Sequence, residues 1–194
     1  TVVGYANDAY KTAGMSANEY METVTSFSAS LLASMNNDTA AAAEKANVAI
    51  TDMSDNANKM GTDISLIQNA YNGFAKQNYT MLDNLKLGYG GTKEEMQRLL
   101  DDASKLSGIK YDISSYSDVV DAIHVVQTEM GITGTTAKEA STTIEGSVSS
   151  MSSAWDNWVA GMADSEANFS QLTSNLVDSI VTVVGNIAPR VIET

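Results

Sequence analysis

The sequence predicts an all-α protein: a multi-helix bundle or array with a long C-terminal helical portion and little or no β-structure. Three observations predict it. Apolar residues recur at steps of three and four along most of the chain, the spacing that lines one face of a helix. Ser/Thr-x-x-Glu sequences stand before three of these runs, at Ser16–Glu19, Thr92–Glu95 and Thr136–Glu139. In each, the hydroxyl and the carboxylate can satisfy free N–H groups at a helix start. Glycines at 14, 61 and 108 follow apolar runs as stop signals.

The elements follow in order. Val2, Val3, Ala6, Tyr10 and Ala13 are helically spaced, and Gly14 closes that piece. After Ser16–Glu19, the stripe Tyr20, Val24, Phe27, Leu31 and Met35 predicts one apolar helix face. Met35–Thr39 is a polar connection, with Asp38 or Thr39 as the next N-cap. Ile50, Met53, Ala57, Met60, Ile64, Ile67, Tyr71 and Phe74 continue in alternating threes and fours, the pattern of a seam between helices. Gly61-Thr62-Asp63 predicts a break within it, with one continuous helix as the alternative. Lys76–Tyr79 reads as a turn and Met81–Leu87 as a short helical piece.

Gly88-Tyr89-Gly90-Gly91 then leads into a helix that buries Met96, Leu99, Leu100, Ala103 and Leu106. Glu94 with Arg98, and Asp101 with Lys105, are spaced for ion pairs on its wet side. Lys110–Ser117 is the one segment that could be extended. Ser117–Met130 is helical, with Val119, Val120, Ile123, Val126 and Met130 inward, and Gly131 and Gly134 mark a hinge-like loop. Thr136–Glu139 opens a stripe of Ile144, Val148, Met151, Trp155, Trp158 and Met162. Asp164 or Ser165 starts the last helix, whose face carries Phe169, Leu172, Leu176, Ile180, Val183 and Ile187. Pro189 is expected to end or kink it, because proline lacks the N–H and crowds the preceding turn. Residues 1–133 read as a helical core region and 134–194 as a helical extension, with packing of the two as one domain as the alternative.

The totals restrict function. The chain has 194 residues, 43% hydrophobic and 18% charged, too apolar for a disordered polypeptide. Aromatics make up 7%, so the core rests on aliphatic residues, Met and Ala. Eleven basic residues are scattered among 24 acidic ones, for a net charge of −13. Binding to DNA phosphates needs clustered Lys and Arg, so sequence-specific nucleic-acid binding is not expected. There is no cysteine, which excludes disulfides and thiolate metal sites. Residues 1–13 lack the basic start and apolar block of a signal peptide. Leu176–Ala188 is too short for a membrane span of about 20 apolar residues. Both ends read as cut from a longer chain.

No catalytic constellation is present. His124 is the single histidine, at the edge of an apolar face, and reads as a structural residue because catalysis and metal binding need several converging groups. The GYGG turn lacks the Lys-Ser/Thr order of a phosphate loop. Residues 83–94 place Leu85 and Leu87 where an EF-hand needs oxygens. Asp101-Asp102 and Glu94-Glu95 are neighbours on a helix and point apart. No catalytic residue, metal ligand or cofactor is assigned, and no enzyme activity is expected.

Four blocks carry a resemblance: YKTAGMSANEYMETVTSFSASLL (10–32), the run from AITDMSDNANKM through DDASKLSG (49–108), the run from IHVVQTEMGITG through SSAWDNWVAGM (123–162), and FSQLTSNLVDSIVTVVGNIAPRVIE (169–193). Together, in this order, they resemble the tape measure proteins of long-tailed phages and prophages. Family members often carry a longer charged insertion after the first block, where this chain has only Met35–Thr39. The resemblance implies a virion structural protein that lies in the tail tube, sets tail length, and leaves ahead of the DNA. It implies as partners the tail tube protein, tail assembly chaperones and tip or baseplate proteins. Self-association, and membrane contact of the full-length protein during ejection, also follow from it. It places the protein in the virion, and in the host cytoplasm during assembly. Some members bear peptidoglycan-cleaving domains elsewhere. The alternative reading, from composition and the Trp155/Trp158 pair, is a helical secreted or surface module such as an adhesin or delivery protein.

Overall fold

Helix starts and stops are written into the chain chemistry, and the computed structural model, which describes residues 1–192, follows most of them. Nine α-helices are formed among the described residues, with no strand: α1 (Val2–Thr12), α2 (Ala17–Ser34), α3 (Thr39–Met60), α4 (Ile64–Phe74), α5 (Lys93–Ser107), α6 (Tyr116–Glu129), α7 (Thr135–Thr142), α8 (Ile144–Met162) and α9 (Phe169–Ile192). A single 3-10 turn, Leu82–Leu85, stands between α4 and α5. The protein is an all-α, multi-helix array.

The caps show why the boundaries fall where they do. Glu19 accepts from the Ser16 N–H at 2.8 Å, and the Ser16 hydroxyl accepts from the Glu19 N–H at 3.3 Å, a complete capping box for α2. Asp38 accepts from the N–H groups of Ala40 and Ala41 and starts α3. Gly61, at φ +64°, ends α3 in the left-handed conformation, and Asp63 caps α4. The seam is therefore broken there, and Ala57, Met60 and Ile64 around the break are only half-buried. Thr92 caps α5 by accepting from Glu95 at 3.2 Å. The Glu95 carboxylate turns to the Gly90 N–H instead, at 2.9 Å, and braces the GYGG turn against the helix.

Several expectations are corrected. Lys110–Ser117 is not extended: Asp112 accepts from Ser114 in a turn, and Ser115 caps α6. Leu106 and Met130 sit at helix ends and are exposed rather than inward. The ion pairs on α5 close at three residues, Arg98 to Glu95 and Lys105 to Asp102, rather than at four; Glu95 and Asp102 are the carboxylates that also accept from Gly90 and Tyr89 of the GYGG turn. Thr136–Glu139 is no N-cap; it lies inside α7, and Thr143 caps α8 by accepting from Gly146 at 3.0 Å. α9 starts at Phe169, with Asn168 accepting from the Gln171 N–H, whereas Asp164 merely closes a turn onto Glu166. Pro189 does not end α9, which runs on to Ile192. Pro189 stands in the last turn of the described helix, where the missing N–H costs a single intrahelical bond.

The chain forms two compact units. One comprises Thr1–Val2 and Glu22–Thr135; the other comprises Val3–Met21 and the residues from Thr136 onward. Residues 3–21 thus group with the C-terminal helices and not with 22–133. The core of the first unit is built from Phe27, Leu31, Ile50, Met53, Ile67, Tyr71, Phe74, Leu99 and Ile123, all at most 2% exposed. Phe27 meets Tyr116 edge-on, with ring centroids 6.2 Å apart.

The second unit is different in kind. α8 turns its small and polar side inward: Ser147, Ser150, Ser153, Ala154, Asn157 and Gly161 are buried. Tyr10, Ala154 and Leu176 form its central cluster, flanked by Met151 and Trp158. Asn157 accepts from the Ala17 N–H at 2.7 Å, and Ser153 donates to the Gly14 carbonyl. The stripe of large residues on α8 is divided: Val148, Trp155 and Met162 are exposed, whereas Met151 and Trp158 pack against the central cluster.

Close approach on α8 is set by Gly146, where a Cβ would lie 2.5 Å from the Glu139 carbonyl carbon and oxygen. Gly146→Ala is expected to lower stability by about 1–3 kcal/mol through forced displacement of backbone. Urea denaturation monitored by helical circular dichroism checks this, against Gly185→Ala as a control at a glycine with open space.

Candidate interaction surface

A helix of this length usually hides one apolar stripe; α9 has enough apolar residues for two. Leu176, Ser179 and Val183 are buried, and Asn186 donates to the carbonyls of Ser141 and Thr143. The other side carries Val177, Ile180, Val181, Val184, Ile187 and Val191, all 36–66% exposed. Their offsets of three and four keep them on one face. Val184, Ile187, Ala188 and Val191 line a shallow apolar groove.

The aromatic end of the α8–α9 hairpin extends this surface. Trp155 and Trp158 stack with centroids 5.5 Å apart, and Trp158 meets Phe169 at 5.3 Å. The Trp158 indole N–H donates to the Thr173 hydroxyl at 3.1 Å, which ties α8 to α9 there. Trp155 is 52% exposed and Met162 57%. Such an exposed apolar surface on a folded unit is a candidate interaction site. No helix among the described residues is long and apolar enough to cross a membrane.

The first unit holds a group of polar residues that the sequence pattern did not reveal. Asp52, Asp55 and Asn56 on α3 and Gln127 on α6 are buried at 0–1% exposure. His124 Nδ1 lies 2.9 and 3.0 Å from the two carboxylate oxygens of Asp52. Gln127 donates to the Asp52 carbonyl, and Asn56 donates to Gln127 Oε1 at 2.7 Å and to the Leu85 carbonyl at 3.0 Å. Asp55 accepts from the Gly134 N–H at 2.6 Å. Lys45 and Asp121 form an ion pair beside this group. The missed signal is a spacing: 52, 55 and 56 share a helix face, as do 124 and 127.

This arrangement reads as a helix lock. His124 is anchored at Nδ1 and presents Nε2 alone, and no three His, Asp or Glu side chains among the described residues stand together as a metal-binding group. The GYGG turn is likewise held by its own contacts. Gly88 is at φ +87°, the Tyr89 hydroxyl donates to Asp102 at 3.0 Å, and Arg98 lies over the Tyr89 ring at 4.4 Å and donates to the Gly88 carbonyl. Arg98 and the Gly90 N–H hold the Glu95 carboxyl down at about 2. No protein-family profile, curated protein or solved structure matches this chain.

Burial raises the Asp52 carboxyl, against the opposing pull of His124, and the hydrogen bond to Asp52 raises His124. Both groups hold their protons more tightly in the fold than in the unfolded chain. For His124 the resulting stabilisation is complete below its ordinary value of 6.5 and is lost as pH rises through the raised value. For Asp52 it is likewise complete below 3.8 and lost on the way up. The melting temperature of the wild type should therefore fall as pH rises above 6.5, through the raised His124 value. His124→Gln should flatten that slope. Equal slopes in the two proteins would remove His124 as the titrating group.

Proposed function

We propose that this chain is a segment of a phage or prophage tail tape measure protein: a virion structural protein that sets tail length and assists assembly and DNA ejection. The observation that carries the reading is the ordered resemblance of residues 10–32, 49–108, 123–162 and 169–193 to that family. Physical features agree with a structural role. The chain is an array of helices, and a helix converts residue number to length at about 1.5 Å per residue. Its charge of −13 disfavours adhesion to DNA passing the same tube. The exposed stripe of α9 supplies a surface for assembly, and in this reading the protein's partners are the tail tube protein, assembly chaperones and tip or baseplate proteins. The role is non-enzymatic, and the protein resides in the tail lumen after assembly in the host cytoplasm.

The exposed Trp155, stacked on Trp158, favours a second reading: a helical secreted or surface module that docks through aromatic side chains. A signal peptide or sorting motif encoded in the same gene would support that reading.

In-frame removal of a helical stretch should shorten the assembled tail by about 1.5 Å for each residue deleted. Electron micrographs of tails from the deletion phage measure this. Tails of unchanged length would contradict a ruler role for this segment.

A further inference from the structure

We propose that two copies of this chain pair through α9, antiparallel, about a two-fold axis at Val184. The proposal rests on the reading of the α9 stripe as an assembly surface and names its occupant.

The pattern on α9 is self-complementary. Measured from Val184, apolar residues stand at offsets of three, four and seven in both directions. Antiparallel pairing centred there sets Val177 against Val191 of the second copy, Val181 against Ile187, Ile180 against Ala188, and Val184 against itself. Every apolar residue of the stripe meets an apolar one. The groove formed by Val184, Ile187, Ala188 and Val191 receives the opposite half of the same stripe, so a single surface supplies both ridge and groove. A two-fold interface requires such a surface, since the same patch serves both subunits.

Charge and area favour a second copy as well. Asp178 and Arg190 are the ionisable residues of α9, and both lie off the stripe. In a chain of net charge −13, the formally neutral α9 is where two like-charged copies approach at least cost. The stripe spans about 21 Å at the helical rise. Covering its exposed aliphatic surface on both copies removes on the order of 1,000 Å², where specific interfaces begin.

The chain contains no cysteine, so single-cysteine variants report contacts cleanly. Helices packed about 8–10 Å apart bring facing Cα atoms within disulfide reach. Val184→Cys should oxidise to a disulfide-linked dimer at least about tenfold faster than Asp156→Cys, an exposed site on α8. Val177→Cys alone should not cross-link, whereas an equimolar mixture of Val177→Cys and Val191→Cys should. The wild type should sediment as a dimer, and Val184→Glu as a monomer of unchanged helicity. Self-cross-linking of Val177→Cys would overturn the antiparallel register. A wild type that stays monomeric at all concentrations would overturn the pairing and leave the stripe to a different protein or a lipid surface. These readings come from the purified protein, so they fail or succeed independently of the tail-length measurement.

Discussion

The arrangement of the second unit depends on which side α8 turns inward. Its small face allows close approach, and dispersion at that distance, with hydrogen bonds at Asn157 and Ser153, adds to the burial of Tyr10 and Leu176. Gly146 and Gly161 permit the approach at either end, toward Glu139 and Leu172. The consequence is displacement of large residues to the outside. Trp155, Met162 and Val148 lie outside the side that packs, so the hairpin keeps an uncovered apolar flank. The exposed surface is thus a result of how the unit packs.

The first unit solves the opposite problem. Its aliphatic core would hold α3 and α6 together in more than one register, because apolar contacts are non-directional. The polar group of Asp52, Asn56, His124 and Gln127 fixes one register, since a buried polar atom without its partner costs about 1–3 kcal/mol. Asp55 extends the same logic to the loop carrying Gly131 and Gly134 by accepting from the Gly134 N–H. Lys45 and Asp121, at the rim, contribute less because solvent reaches them.

How much of this was legible in the sequence varies with the physics involved. Helix boundaries governed by local chemistry were readable: Ser16 with Glu19, Asp38, Gly61 with Asp63, and Thr92 each act within a few residues of themselves. The faces of α2, α5 and α6 were readable too, apart from their exposed ends at Leu106 and Met130. The face of α8 was not. Its larger residues form the stronger periodic pattern, and nothing local reports that the smaller ones pack. Thr136–Glu139 has the letters of a capping box but lies within a helix, because Thr143 begins the next one. Pro189 breaks a helix interior by rule, yet it stands in the last turn of α9, which runs on to Ile192. Asp52 and His124 are 72 residues apart, and their pairing is a product of tertiary packing.

The second unit coheres through small and polar contacts beside its central cluster and leaves aliphatic surface exposed. That view stands or falls on the orientation of α8. Thiol-labelling rates at neighbouring positions of this cysteine-free chain test it most directly. Trp155→Cys should label at a rate close to that of an unfolded peptide, and Ser153→Cys should be strongly protected. Protection at 155 with rapid labelling at 153 would show the large face turned inward, and would contradict the account.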